Sequence, residues 1–171
     1  LVNAWCMPGG KIVFYTGILP IAKNEAGIAV IMGHEVAHAL ANHGQQRMSA
    51  GMIQQGVGAG VAIATKDKSK SEQDLWMQAF AVGSSVGGML PFSRSHETEA
   101  DEIGLYLTAI AGYNPDEASL LWERMKENSK KKSPPEFLST HPSNDSRIVN
   151  LRTLSNKAKQ EARKFGVTTF R

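Results

Sequence analysis

Gly27-Ile28-Ala29-Val30-Ile31-Met32-Gly33-His34-Glu35-Val36-Ala37-His38-Ala39-Leu40-Ala41 is the stretch on which the reading of this chain turns. It is apolar from Ile28 to Ala41 except for three residues, which spell H-E-x-x-H. On a helix, positions four apart share a face, so His34 and His38 can turn two imidazoles toward one ion. Zn²⁺ takes such nitrogens at about 2.0–2.1 Å. Glu35, one residue on, leans to the side of that pair and can reach a water there without ligating, which is the place of a general base in metal-assisted peptide hydrolysis. Two histidines and a carboxylate buried without partners would cost several kcal/mol, and a metal removes that cost.

A zinc site of this kind needs a third protein ligand and one open position. Ser93-Arg94-Ser95-His96-Glu97-Thr98-Glu99-Ala100-Asp101 supplies candidates. Glu97 and Asp101 are four apart on an expected helix. Glu97 can ligate, and Asp101 can then bond the far ring nitrogen of a ligand histidine and fix its tautomer. His96 is a rival ligand that lies off that face. Glu99 points elsewhere and reads as a surface carboxylate.

The 171 residues, read as one domain over 1–171, suffice for a real core. Hydrophobic content of 42% and charged content of 20% are those of a globular chain. The net charge is +3, and the basic residues form no stripe interleaved with aromatics, so nucleic acid is not an expected partner. With Cys6 alone, no internal disulfide can form. The chain starts at Leu1, inside an expected strand and without a signal peptide, which reads as N-terminal truncation. No window reaches the roughly 20 apolar residues of a membrane span. Ala50–Thr65 and Ala79–Leu90 come closest, and both read as close-packed core helices, with a membrane surface or a partner as the alternative.

The expected architecture is mainly α with a small antiparallel β-hairpin. Residues 2–6 and 11–16 read as strands around Met7-Pro8-Gly9-Gly10. Asn3, Ala4 and Trp5 lie on the edge strand against which an extended peptide could be laid. Asn24 caps a helix from Glu25 to about His43, with Gly44 as its stop. A second helix runs from about Gln45 to Ala64, then a polar loop over Thr65–Asp74, then a helix over Leu75–Gly88 ended by Pro91. Ser93 or Ser95 starts the helix bearing Glu97–Ala111, which Gly112 stops. Asn114-Pro115-Asp116-Glu117 opens another, to about Asn128. Lys130–Pro135 reads as a linker. Ser143 opens a last helix with Ile148, Leu151, Leu154, Ala158 and Ala162 on one buried stripe.

The paired motifs HEVAH and SRSHETEAD, with Asn3–Ile12 and Ser139-Thr140-His141-Pro142-Ser143, resemble family forty-eight of the metallopeptidases. These are the gluzincins that include the HtpX, BepA, LoiP and Oma types and the CAAX prenyl proteases. The likeness is to the soluble subgroup and covers nearly the whole chain. It implies a zincin-type domain with one Zn²⁺ per chain, ligands His34, His38 and Glu97, general base Glu35 and a supporting carboxylate at Asp101. It also makes His141 a candidate conditional ligand that holds the site shut, against a loop histidine capping the last helix. Arg147 and Arg94 are candidates for holding an oxyanion or substrate, or for pairing with a carboxylate. The implied activity is zinc-dependent endoproteolysis of unfolded or misfolded envelope or membrane-associated polypeptides, in protein quality control. The alternative is a latent or inactive metal-bound binding or chaperone module. A membrane surface or membrane-protein partner and an oligomer remain open. The expected location is the bacterial periplasm or envelope, with the mitochondrial inner-membrane space as the alternative.

Overall fold

The computed structural model describes residues 1–7, 9–131, 136–142 and 144–171. Pro8 of the expected turn, Lys132–Pro135 of the expected linker, and Ser143 as the opener of the last helix lie outside the described residues. The chain divides into two compact units, Leu1–Ala41 with Glu97–Arg171, and Asn42–His96. Among the described residues the architecture is mainly α with one two-stranded antiparallel sheet, as expected.

In the first unit, β1 (Ala4–Cys6) pairs with β2 (Ile12–Phe14), Trp5 opposite Val13. After a 3₁₀ turn, α1 (Leu19–Ala22) starts with Pro20 in its first turn, where a missing N–H costs nothing. Helix α2 (Glu25–Leu40) is capped by Asn24, whose side chain accepts from the Gly27 N–H at 2.8 Å. The expected cap therefore holds, but the helix does not reach His43. It stops at Leu40, because Asn42, not Gly44, adopts the left-handed conformation (φ 56°) that redirects the chain.

The core lies among α2, α5 (Leu90–Ile110), α6 (Glu117–Lys131), α7 (Glu136–Thr140) and α8 (Asp145–Lys164). Ile31, Leu105, Leu121, Met125, Phe137 and Leu151 are fully buried there. Helix α6 outruns its expected end at Asn128. Helix α8 is capped by Asn144, whose side chain accepts from the Arg147 N–H at 2.7 Å, so His141 is not that cap. Of its expected stripe, Ile148, Leu151, Ala158 and Ala162 are buried and Leu154 is half-buried.

Helices α2 and α5 (Leu90–Ile110) cross at two glycines. A Cβ on Gly33 would stand 2.5 Å from the Gly104 carbonyl oxygen, and one on Gly104 would stand 2.8 Å from the His34 nitrogen. Only two residues without side chains let the backbones come this close. The crossing sets His34 beside Asp101, which is one turn before Gly104.

In the second unit, α3 (His43–Ala64) and α4 (Lys70–Ser84) form a helical hairpin. The expected loop over Thr65–Asp74 is shorter, because Ser69 and Glu72 make a capping box that starts α4 at Lys70. Pro91 does not end the helix. The chain passes through one π-helical turn, Ser85–Met89, and continues as α5, with Pro91 in its first turn. Ser93 and Ser95 are therefore interior helix residues, and Ser95 Oγ donates back to the Phe92 carbonyl. The two stretches read as core helices are not core: α3 buries only His43 and Gly58, and α4 buries nothing.

Candidate metal centre

His34 and His38 reach the same point from one face of α2, Glu97 comes from α5, and His141 follows the short helix α7. One donor atom of each lies within 4.8 Å of all the others. His34 Nε2 is 3.1 Å from His38 Nε2, 3.1 Å from His141 Nδ1 and 3.3 Å from Glu97 Oε2. Glu97 Oε1 is 3.3 Å from His38 Nε2, and Oε2 is 3.0 Å from His141 Nδ1. A tetrahedron with ligand bonds of about 2.0 Å has edges of about 3.3 Å. Three ring nitrogens and a carboxylate edge facing one another at that spacing, in a buried site, fit a divalent cation. They fit nothing else as well, since three imidazole nitrogens cannot all hydrogen-bond one another.

The surroundings are tuned to the same end. Asp101 Oδ1 lies 3.1 Å from His34 Nδ1, beside the ring nitrogen but out of hydrogen-bond alignment, and that nitrogen is a buried atom without a hydrogen bond. Arg147 grips Asp101 with two parallel bonds, Nε to Oδ2 and Nη2 to Oδ1, both 2.8 Å. Its Nη1 donates to the Pro142 carbonyl at 2.9 Å and lies 3.1 Å from Glu97 Oε2. The guanidinium sits 3.9 Å above the Trp122 ring. Arg147 thus has a carboxylate partner, one of the two roles the sequence left open for it.

Burial alone would pull the His34 imidazole down, but contacts with Asp101 and Glu97 reverse this and lift it to about 9. Burial pushes Glu35 up to about 7, against the pull of His34. Glu97 resists burial because His141, His34 and His38 all bond it, and these hold it far below the carboxylate range. Burial lowers His141 to about 4, so it is a neutral imidazole at neutral pH with a lone pair to give. Burial raises Asp101, but the Arg147 guanidinium more than offsets this and keeps it ionised.

Glu35 is buried beside the cluster, its Oε1 3.3 Å from His141 Nε2. The Cys6 main-chain N–H pulls the Glu35 pKa the other way, downward. The strand register explains that influence. Tyr15 N–H donates to the Asn3 carbonyl and Met7 N–H to the Lys11 carbonyl, so Asn3, Trp5 and Met7 turn their main-chain groups toward β2. Ala4 and Cys6 turn theirs to the outer edge. Of the three residues expected on the edge, Ala4 is the one that faces outward, and Cys6 joins it.

His96 and Arg94 belong to the second unit. There His96 stacks on His43 with ring centroids 4.0 Å apart and meets Gln46 Oε1 at 2.9 Å, so it is not among the converging donors. Sequence reasoning missed Cys6, Trp122 and the Gly33–Gly104 crossing. Only Gly33 left a signal, as a glycine inside a helix next to His34.

A histidine pair four apart on one helix, a carboxylate from a later helix and a second glutamate beside them define a metallopeptidase-type centre. The chain belongs to Peptidase family M48, whose family model matches residues 1–155. Among curated proteins it is 39% identical to "Mitochondrial metalloendopeptidase OMA1" of Schizosaccharomyces pombe, over 87% of this chain and 42% of that one. It is 35% identical to the Saccharomyces cerevisiae protein of the same name, over 92% and 45%. It is 27% identical to "Beta-barrel assembly-enhancing protease" of Escherichia coli, over 91% and 33%. The chain spans less than half the length of each of these relatives. No solved structure matches.

Proposed function

We propose that this chain is a zinc endopeptidase that cuts extended segments of unfolded or misfolded polypeptides. His34, His38 and Glu97 are its ligands, and Glu35 is its base. The observation that carries this reading is the convergence of three ring nitrogens and the Glu97 carboxylate at 3.0–3.3 Å, with Glu35 alongside. Two nitrogens and a carboxylate suit Zn²⁺ among common ions.

A zinc ion held there supplies Lewis acidity to the scissile carbonyl and makes water a nucleophile near neutral pH. Glu35 takes the proton of the attacking water and passes it to the leaving amine. In the metal-free protein burial raises its pKa to about 7, so its carboxylate can hold the proton it takes. Asp101, fixed by Arg147, orients His34. The substrate backbone pairs with the outward groups of Ala4 and Cys6. Such pairing uses the main chain, so it tolerates many sequences and favours unfolded segments.

His141 fills a fourth position in the cluster, and a catalytic zinc needs that position open. We read it as a conditional ligand that withdraws when substrate enters. His141→Ala would then raise basal proteolysis, and unchanged basal proteolysis would remove this role. Quality control at the bacterial envelope, or in the mitochondrial inner-membrane space, is the setting we favour, on the strength of relatives from bacteria and mitochondria.

The test is cleavage of casein by the zinc-loaded chain beside Glu35→Gln. Loss of general-base help costs about 10²–10⁴-fold. Wild-type cleavage with a silent variant that keeps its zinc supports the reading. Zinc retained without cleavage by either protein favours the alternative of a latent or binding module, because the donors would then serve structure alone.

A further inference from the structure

Helix α6 lays Ala118, Leu121, Trp122 and Met125 on one buried face, spaced three and four apart. Such spacing makes all four core residues, and volume alone would account for Ala118, Leu121 and Met125. Trp122 differs in what its ring touches. The central carbon of the Arg147 guanidinium lies 3.9 Å from the ring centroid. The His34 ring meets it edge to face, with centroids 6.4 Å apart and planes at 76°. Phe137 packs against it at 5.7 Å. One buried side chain therefore borders both a converging histidine and the cation that grips Asp101.

A guanidinium is flat, and all its donors lie in its plane. Those of Arg147 are used along its edges: Nε and Nη2 on Asp101 at 2.8 Å each, and Nη1 on the Pro142 carbonyl at 2.9 Å. Edge bonds set where the group sits within its plane and resist tilting only weakly. A contact on the face resists tilting directly. The negative face of an indole is the best aromatic partner a cation has for that purpose.

Tilt matters here because a second carboxylate is within reach. Nη1 lies 3.1 Å from Glu97 Oε2. Glu97 is the carboxylate among the converging donors. An Arg147 turned toward it would compete with a cation for the same oxygen. The same turn would release Asp101, which stands 3.1 Å from His34 Nδ1 and has Arg147 as its paired partner. Two bonds to Asp101 and one near approach to Glu97 is thus the balance that leaves the centre ready for a cation. The face contact with Trp122 is what holds that balance.

We infer that Trp122 is a positioning residue of the metal centre. Its ring face holds Arg147 on Asp101 and off Glu97, so that Glu97 stays available to a cation and Asp101 stays beside His34. The consequence for zinc rests on the ligand assignment proposed above. The hold on Arg147 rests on the contacts of this chain alone.

The experiment replaces tryptophan by its mono-, di- and trifluorinated forms in the full chain. The background is Trp5→Phe with Trp76→Phe, which leaves Trp122 as the sole indole. Fluorine drains the negative face of the ring and changes its shape little, so packing is kept while the cation contact weakens. Zinc affinity is read by chelator competition. Solvent exchange of the Arg147 Nε–H is read by NMR in the metal-free chain, the signal being assigned by its loss in Arg147→Lys. Zinc affinity should fall stepwise with each fluorine, by about 3–30-fold across the series, and the exchange should quicken in the same order. Trp122→Leu, where it folds, should weaken zinc by about 10–100-fold. A core role alone predicts that both quantities stay flat across the fluorinated series, and that result overturns the inference. A wild-type chain that takes up no zinc contradicts the ligand assignment instead. The exchange series in the metal-free chain then decides the inference by itself.

Discussion

The two units break the usual inside–outside rule in opposite directions. The first buries His34, Glu35, Glu97, Asp101, His141 and Arg147 in its interior. The second leaves Met52, Ile53, Leu75 and Val82 bare. Each departure is expensive taken alone: buried charges need partners, and exposed apolar patches are rare in proteins that meet only water. The contrast teaches that the first unit gathers polar groups that could hold a small cation, while the second leaves its apolar side chains exposed. Within the first unit, the cost is met partly by the protein itself, through the paired bonds of Arg147 to Asp101. The rest falls to the cation its donors fit.

The largest expected effect separates those two contributions. Asp101→Ala leaves the Arg147 guanidinium buried without its partner and should destabilise the chain by about 3–5 kcal/mol. Asp101→Asn keeps the shape and should chiefly weaken zinc, by about 10–100-fold. Denaturant melts and zinc competition read the two losses separately. If both variants lose only stability, Asp101 has no hold on His34.

The pH dependence comes next. In the metal-free protein His34 is raised to about 9 from its ordinary 6.5. Its protonated form therefore stabilises the metal-free fold below about 6.5, and that contribution is lost as pH rises toward 9. A zinc ion held by His34 would have to displace the same proton, so affinity should climb about tenfold per pH unit through this window. Chelator competition across the range measures it, and a flat profile would place the proton elsewhere.

Core substitutions sharpen the contrast between the units. Leu121→Ala, in the first unit, should cost about 2–5 kcal/mol. Gly33→Ala forces α2 away from the Gly104 carbonyl and should cost about 1–3 kcal/mol, with zinc affinity falling in step because the crossing sets His34 beside Asp101. The smallest effect is expected in the second unit in water, where Met52→Gln should change stability by no more than about 0.5 kcal/mol. A large loss there would mean that Met52 is covered in solution.

What was legible in the sequence was local chemistry with a fixed spacing. The i, i+4 pairs His34/His38 and Glu97/Asp101, the Asn24 cap, the Gly112 stop at φ 83° and the α8 stripe depend on neighbours along one helix. What was not legible depends on context. Pro91 reads as a stop until a π-helical turn absorbs it. Gly44 loses to Asn42 because either can take the left-handed turn. An uncharged stretch such as Ala50–Thr65 has the composition of a core helix whether its surroundings are protein or lipid. The grip of Arg147 joins residues 46 positions apart, and no periodicity encodes that.

The measurement that bears most directly on the central claim is zinc content of the purified chain, with its thermal melt before and after chelation. The cluster that holds three ring nitrogens and a carboxylate together predicts about one zinc per chain. It also predicts a melt that falls on chelation and returns with added zinc. A chain that takes up no zinc, and melts at the same temperature with chelator as without, would contradict the assignment of His34, His38 and Glu97 as ligands.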